Sequence, residues 1–278
     1  MSIRVWVDGE RVDDKPSLNA LDHGVTVGDG GFETCKVIDG QVFARTMHHT
    51  RFDRTLAGLG LPRADRDRVD EGIDAVLREP MPLGRVRYMV TGGAGPLGSG
   101  RLDSALTYIV TAGPADPPPV SSKVEVVPWV RNERGALAGL KTTSYAENVV
   151  ALAYAKERGA DEGIFANTRD ELCEGTGSNI FIVVDGEILT PPLSAGPLAG
   201  IARALVLRWC KAAGLPIREA TLPLDVLDRA EEIFLTSSLR EVQGVHAVGS
   251  RTLTPGPVTA RAARVFADAA ALDNDPAP

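Results

Sequence analysis

The sequence predicts an α+β fold in two parts, and three observations carry that reading. Asp-Gly pairs between alternating apolar runs mark tight hairpins at Asp8-Gly9, Asp39-Gly40 and Asp185-Gly186. Strand-like and helix-like runs are mixed without strict alternation, which favours α+β halves over a doubly wound sheet. The proline-rich stretch Ala112–Pro119 has no periodicity and reads as a connection between the halves.

In chain order, the first hairpin joins Ile3–Val7 to Glu10–Val12, and the second joins Cys35–Ile38 to Gln41–Phe43. A helix follows over His48–Leu61, with Phe52, Leu56 and Leu59 at helical spacing and Gly60 as its stop. A second helix covers Asp65–Leu77, and strands cover Arg85–Thr91 and Leu106–Thr111. These define a small domain over residues 1–116, a linker over 117–122 and a larger domain over 123–278. The larger part opens with a strand at Lys123–Pro128. Its first helix begins just after Lys141, where Tyr145, Val149 and Leu152 recur at i, i+4 and i+7, and runs to about Arg158. Thr142, Thr143 and Ser144 are placed to cap it. A strand-rich meander covers Gly163–Thr190, a helix Ile201–Ala213 and a strand Glu232–Leu235. The last helix starts near Pro257, and Asp273–Pro278 reads as a frayed end.

Composition narrows the function classes. A net charge of −7 argues against nucleic acid or an anionic membrane as the main partner. No apolar run is long enough to span a bilayer and the N-terminus has no signal-peptide pattern, so the expected location is the cytoplasm. Cys35, Cys173 and Cys210 have no metal-ligand spacing and read as reduced thiols. His23, His48, His49 and His246 form no HExxH, so no metal site is expected.

The chemistry is placed at Lys141. The chain has 6 lysines, at positions 15, 36, 123, 141, 156 and 211, and only Lys141 is embedded in apolar and hydroxyl neighbours. A desolvated lysine is a nucleophile toward carbonyls. A lysine snorkelling at a helix start explains the stretch taken alone and is the commoner case. Two nucleotide-binding patterns fail on context. Gly93-Ala94-Gly95-Pro96-Leu97-Gly98 follows a strand but leads to another strand, not to a helix. The segment Gly135–Thr142 lacks the glycine that a P-loop places before its lysine.

Four further groups could bind a ligand. Glu171–Asn179, an acidic stretch leading into Gly175-Thr176-Gly177-Ser178-Asn179, suggests a turn whose backbone approaches something closely, or equally a solvated hairpin loop. Gly200-Ile201-Ala202 opens a helix whose exposed N–H groups suit an anion, although most helix starts bind nothing. Thr236-Ser237-Ser238 is a hydroxyl cluster at a strand end, and Arg51 offers a planar fork one turn after His48. An ordinary strand-to-loop transition also explains the first, and a solvated helix arginine is the commoner case for the second.

The order of these pieces resembles the class IV aminotransferases, the fold-type IV enzymes that use pyridoxal 5′-phosphate. The resemblance runs from about residue 3 to 250. It rests on Lys141, Glu174–Phe181, Thr190–Leu193, Leu198–Arg203, Gly28–Thr34 and Phe234–Ser238. It implies that Lys141 holds the cofactor as a Schiff base and moves the proton, and that Glu174 faces the pyridine nitrogen. It puts Arg51, the N–H groups of Ile201 and Ala202 after Gly200, and the hydroxyls near Ser237 and Ser238 at the phosphate. Phe32, Glu33 and Arg87 would line the substrate side, Tyr145 would approach the ring oxygen, and Arg240 is a further carboxylate-binding candidate beside Arg131 and Arg134. A homodimer is implied as well.

The sequence departs from the family pattern in three places. Ala202 stands where many relatives carry threonine, Ala146 where branched-chain enzymes carry tyrosine, and Gly92 where many D-amino-acid transaminases carry arginine. Within the family, the reading is a transaminase acting on an amino acid, with D-amino acids preferred, and a 2-oxo acid. The alternative is 4-amino-4-deoxychorismate lyase, which releases 4-aminobenzoate and pyruvate. Glu33 occupies the place where the enteric lyases carry a hydroxyl residue.

Overall fold

The computed structural model describes residues 3–278 and divides into two compact units. The first contains the chain up to Pro117 with Leu140–Tyr145 and Asn274–Pro278; the second contains Pro118–Gly139 and Ala146–Asp273.

The elements of the first unit are β1 (Arg4–Val7), β2 (Glu10–Arg11), α1 (His23–Thr26), β3 (Gly30–Ile38), β4 (Gln41–Val42), α2 (Arg45–Gly58), α3 (Arg66–Leu77), β5 (Leu83–Thr91) and β6 (Thr107–Pro114). The six strands form one antiparallel sheet in the order β2-β1-β6-β5-β3-β4. The Asp-Gly turns close the first two hairpins. Asp8 and Asp39 take φ of 47° and 48°, and their glycines 107° and 78°, the left-handed pair that a two-residue hairpin turn needs. Helices α2 and α3 cover one face of the sheet, burying Trp6, Phe52, Leu56, Ile73, Val76, Tyr88 and Val110. Asp65 caps α3 by accepting from the N–H of Asp67 at 3.0 Å.

Two segments depart from a boundary at the proline stretch. Leu140–Tyr145, expected to lead into the larger domain, pairs with β3 (Gly31 bridges Thr142) and so lies with the first unit. The end of the chain, read as frayed, is tied down. Asp275 caps α2 by accepting from the N–H of Thr46 at 2.8 Å and from its hydroxyl at 2.7 Å, and the N–H of Ala44 donates to the carbonyl of Asn274 at 2.8 Å. Ala44 itself offers α2 no side-chain cap. Asp275→Ala is therefore expected to cost about 1 kcal/mol, read as a melting temperature a few degrees lower.

The second unit holds β7 (Ser121–Arg131), α4 (Ala146–Glu157), β8 (Glu162–Asn167), β9 (Leu172–Gly175), β10 (Asn179–Val184), β11 (Glu187–Thr190), α5 (Ile201–Ala212), β12 (Ile217–Glu219), α6 (Val226–Arg229), β13 (Glu232–Ser237), β14 (Glu241–Val248), β15 (Arg251–Thr252) and α7 (Pro257–Leu272). Its mixed sheet runs β12-β11-β10-β13-β14-β7-β8-β9, with β15 on β14. Strands β10 and β13 are buried almost throughout, and Phe181 stacks on Phe234 at 4.7 Å. The third Asp-Gly turn, Asp185-Gly186, joins β10 to β11 as the sequence predicts.

Helix α4 begins at Ala146, but its buried face is not the expected one. It packs on β7 and β8 through Asn148, Ala151 and Ala155, whereas Val149 and Val150 are exposed. Small side chains allow the close approach to the sheet, and the larger apolar ones are left outside.

Candidate active site

In the first unit the two faces of β3 separate two kinds of residue. Successive strand residues point to opposite faces. Phe32 and Thr34 share a face with Arg87 and Met89 of β5, while Glu33 turns toward α2. Lys141 is presented on the Phe32 side. Its carbonyl accepts from the N–H of Phe32 at 3.0 Å, and the N–H of Thr143 donates to the carbonyl of Gly30 at 2.8 Å. The amine Nζ lies 4.4 Å from the ring centre of Phe32 and 5.7 Å from that of Tyr145, and these two rings meet edge to face. Thr143 and Ser144, expected to cap the following helix, donate instead to the carbonyl of Gly28 at 2.8 and 3.0 Å. Those bonds fix the loop that carries the lysine.

Arg87 sits over the same ring, its guanidinium carbon 4.7 Å from the centre. Its Nε donates to the hydroxyl of Thr34 at 3.0 Å, and among the described residues it pairs with no carboxylate. Burial lowers its pKa from the usual guanidinium value, although the residue as a whole is exposed. Beside it is a cavity of about 250 Å³ lined by Leu18, Val25, Phe32, Met89, Ile109 and Tyr145, mostly apolar. Of the other candidate carboxylate binders, Arg131 and Arg240 are engaged by Glu174 and Glu162, and the side chain of Arg134 is 80% exposed beside Glu133.

Behind the strand, Glu33 is completely buried and so does not line the substrate side as expected. Its carboxylate accepts from Nε of Arg51 at 2.8 Å, from the second guanidinium edge at 2.6 Å and from Nδ1 of His48 at 2.7 Å. Burial alone would raise its pKa; the adjacent guanidinium overrides that and lowers it to about 2. Burial pushes His48 below its ordinary value, so a neutral ring with its proton on Nδ1 fits the bond to the carboxylate.

The second unit carries the rest. Glu174 lies on β9, and its two oxygens accept from Nε of Arg131 at 3.2 Å and from the N–H of Leu198 at 3.0 Å. Helix α5 starts at Ile201 with Gly200 as its N-cap and no side-chain cap, and Ile201 and Ala202 are buried there. A Cβ at residue 200 would lie 1.9 Å from Oδ1 of Asn179, so any larger residue would displace that buried side chain. Asn179 is paired across the sheet with Thr236. The hydroxyls of Thr236 and Ser178 are buried and, among the described residues, have no hydrogen-bond partner. Ser237 and Ser238 follow Thr236 at the turn into β14, where the Ser237 hydroxyl accepts from the N–H of Arg240 at 3.2 Å. An uncapped helix start beside two unsatisfied hydroxyls is a donor set suited to an anionic group. Ser178 belongs to the turn that the sequence singled out, one residue before the strand partner of Thr236.

Residues 30–248 match the sequence model of the family described as amino-transferase class IV. The chain belongs to that family. Class IV aminotransferases depend on pyridoxal phosphate, and the mixed α+β architecture described above is that of fold type IV. This class IV aminotransferase is 29% identical to the D-alanine aminotransferase of Bacillus licheniformis, over 87% of its own length and 88% of the relative's. It is 28% identical to the branched-chain-amino-acid aminotransferase of Pseudomonas aeruginosa, over 95% and 92% of the two chains. A solved structure of a hypothetical aminotransferase from Mycobacterium tuberculosis in its PLP-bound form superposes with a TM-score of 0.86 at 26% identity, covering 98% of this chain and all of that one (100%).

Proposed function

We propose that this aminotransferase moves the amino group of an apolar amino acid, with D-amino acids preferred, to a 2-oxo acid, using pyridoxal 5′-phosphate. The observation that carries the reading is Arg87: a cation with no carboxylate partner among the described residues, over the same ring as the Lys141 amine and beside an apolar cavity. Such a group is placed to bind a substrate carboxylate, while Phe32, Met89 and Ile109 receive the side chain. The preference for D-amino acids is drawn from the D-alanine aminotransferase relative.

The residues present fit the cofactor. Lys141 is the amine to hold it and Glu174 the carboxylate for its ring nitrogen. The α5 start at Gly200, Ile201 and Ala202, with Thr236, Ser178, Ser237 and Ser238, supplies donors for its phosphate, as does Arg51. When bound, the cofactor supplies the sink for the electron pair left at the substrate α-carbon. Nζ of Lys141 would carry the proton from the substrate α-carbon to the cofactor. Glu174 keeps the ring nitrogen protonated, and the uncapped N–H groups of α5 hold negative charge without a counter-ion. Arg51 is held rigid by Glu33, which would fix the guanidinium it presents to the phosphate. Tyr145 packs edge-on against Phe32 and walls the lysine's surroundings.

Purified protein with added pyridoxal phosphate should absorb in the visible and transaminate D-alanine with 2-oxoglutarate faster than L-alanine, L-valine or L-leucine. Faster turnover of the L-amino acids would reverse the chirality assignment, and release of 4-aminobenzoate from aminodeoxychorismate without transamination would replace the reaction altogether. Arg87→Met should raise KM for the amino donor about 10- to 100-fold, the range of a lost charge-assisted hydrogen bond, with little change in melting temperature.

The same reading makes the protein a cytoplasmic homodimer. Leu18, Leu21, Val25 and Val27, between 43% and 59% exposed on one short segment, give an apolar surface for a second copy to cover. Light scattering that returns the mass of a single chain would exclude it.

A further inference from the structure

The buried carboxylate of Glu162 has no part in the chemistry above. It opens β8 and is 2% exposed, and a charge so placed needs partners. Its partners come from two turns far apart in sequence. From the turn after β9, the hydroxyl of Thr176 and the N–H of Gly177 both donate to Oε1, the latter at 2.8 Å. From the turn between β13 and β14, the guanidinium of Arg240 donates to Oε2. The fit is close: a Cβ on Gly175 would lie 2.3 Å from the Ser178 hydroxyl oxygen and 3.1 Å from Cγ of Glu162. Asn148 adds a second hold on the first turn, donating to the carbonyl of Thr176 at 2.8 Å.

These turns bound the proposed cofactor cup of the second unit. The first runs from Glu174 to Ser178, and the second from Ser237 to Arg240. Ser178, which ends the first, and Thr236, which precedes the second, carry buried hydroxyls without a partner among the described residues. We infer that Glu162 is a positioning residue that ties the two turns together and sets the spacing of the cup, and that Arg240 acts through Glu162 and not on substrate. This rests on the assignment of the cup in the proposed function. Among the described residues, the hydrogen-bond partners of Glu162 are Thr176, Gly177 and Arg240, none of them assigned to the cofactor. It fixes Thr176, two residues from Glu174, and Arg240, two residues from Ser238. A carboxylate is required because one oxygen must accept two donors while the other neutralises a guanidinium. Glutamine at this position would set an amide N–H₂ against one of those donors.

The test is titration of cofactor-free protein with pyridoxal phosphate, followed by visible absorbance, alongside melting curves of the cofactor-free forms. Wild type should bind, and failure to do so would sink the proposed function itself. Glu162→Gln should weaken binding about 10- to 100-fold. Thr176→Val and Arg240→Gln should each weaken it by a smaller factor, and Arg240→Gln should add little to Glu162→Gln in the double variant. A melting temperature that falls while cofactor affinity stays at the wild-type value would show a purely structural residue and overturn the inference. So would an Arg240→Gln variant with raised KM for the amino donor and unchanged cofactor affinity. Should Glu162→Gln fail to fold, Thr176→Val and Arg240→Gln decide the matter, because wild-type affinity in both would overturn it.

Discussion

Lys141→Ala is expected to lower transamination by about 10⁴-fold or more, the scale of losing both a covalent anchor and a proton carrier. It should also abolish trapping: borohydride treatment of the wild type in the presence of pyridoxal phosphate should add one reduced cofactor per chain, mapped to residue 141, and the variant should gain none. The structure supports this choice among the lysines. The backbone of Lys141 is bonded to β3, and its amine lies against two aromatic rings. Lys156 is the matched control. It stands on α4 with its side chain 56% exposed, 3.4 Å from Asp161, and Lys156→Ala should retain activity and adduct. Trapping at another lysine, or full activity in Lys141→Ala, would remove the residue from the mechanism.

What the sequence made legible was local. The three Asp-Gly turns declare themselves because two left-handed residues in succession are costly for almost any other pair. Lys141 stands out because lysine is scarce in this chain. What stayed hidden depends on partners distant along the chain. The tail at Asp275 looked free because the helix residue it caps, Thr46, lies 229 residues earlier. Glu162 looked like one more acidic residue because its partners Thr176 and Arg240 lie 14 and 78 residues away. Apolar spacing in α4 located a helix but not its buried face, since alanines can seat closer to a sheet than valines. The placement of Glu33 was within reach: if Phe32 faces the substrate, strand alternation turns its neighbour away.

That placement gives Glu33 the largest expected effect on stability. Glu33→Ala would leave the Arg51 guanidinium, 6% exposed, without its carboxylate, and the cost of breaking such a buried pair is about 3–5 kcal/mol. The comparison is best made by urea unfolding of cofactor-free protein, so that any role of Arg51 at the phosphate does not enter. Glu33→Leu combined with Arg51→Met should be less destabilising than either single change, because no charge is then left buried alone. The pH dependence follows from the same pair. The carboxyl is held at about 2 when folded against an ordinary value of 4.5, so its stabilising contribution is complete above about 4.5. It is lost progressively as the pH falls from there toward about 2. Wild type should therefore lose stability through that window more steeply than Glu33→Leu/Arg51→Met, and parallel acid-unfolding curves for the two proteins would show that the pair contributes nothing.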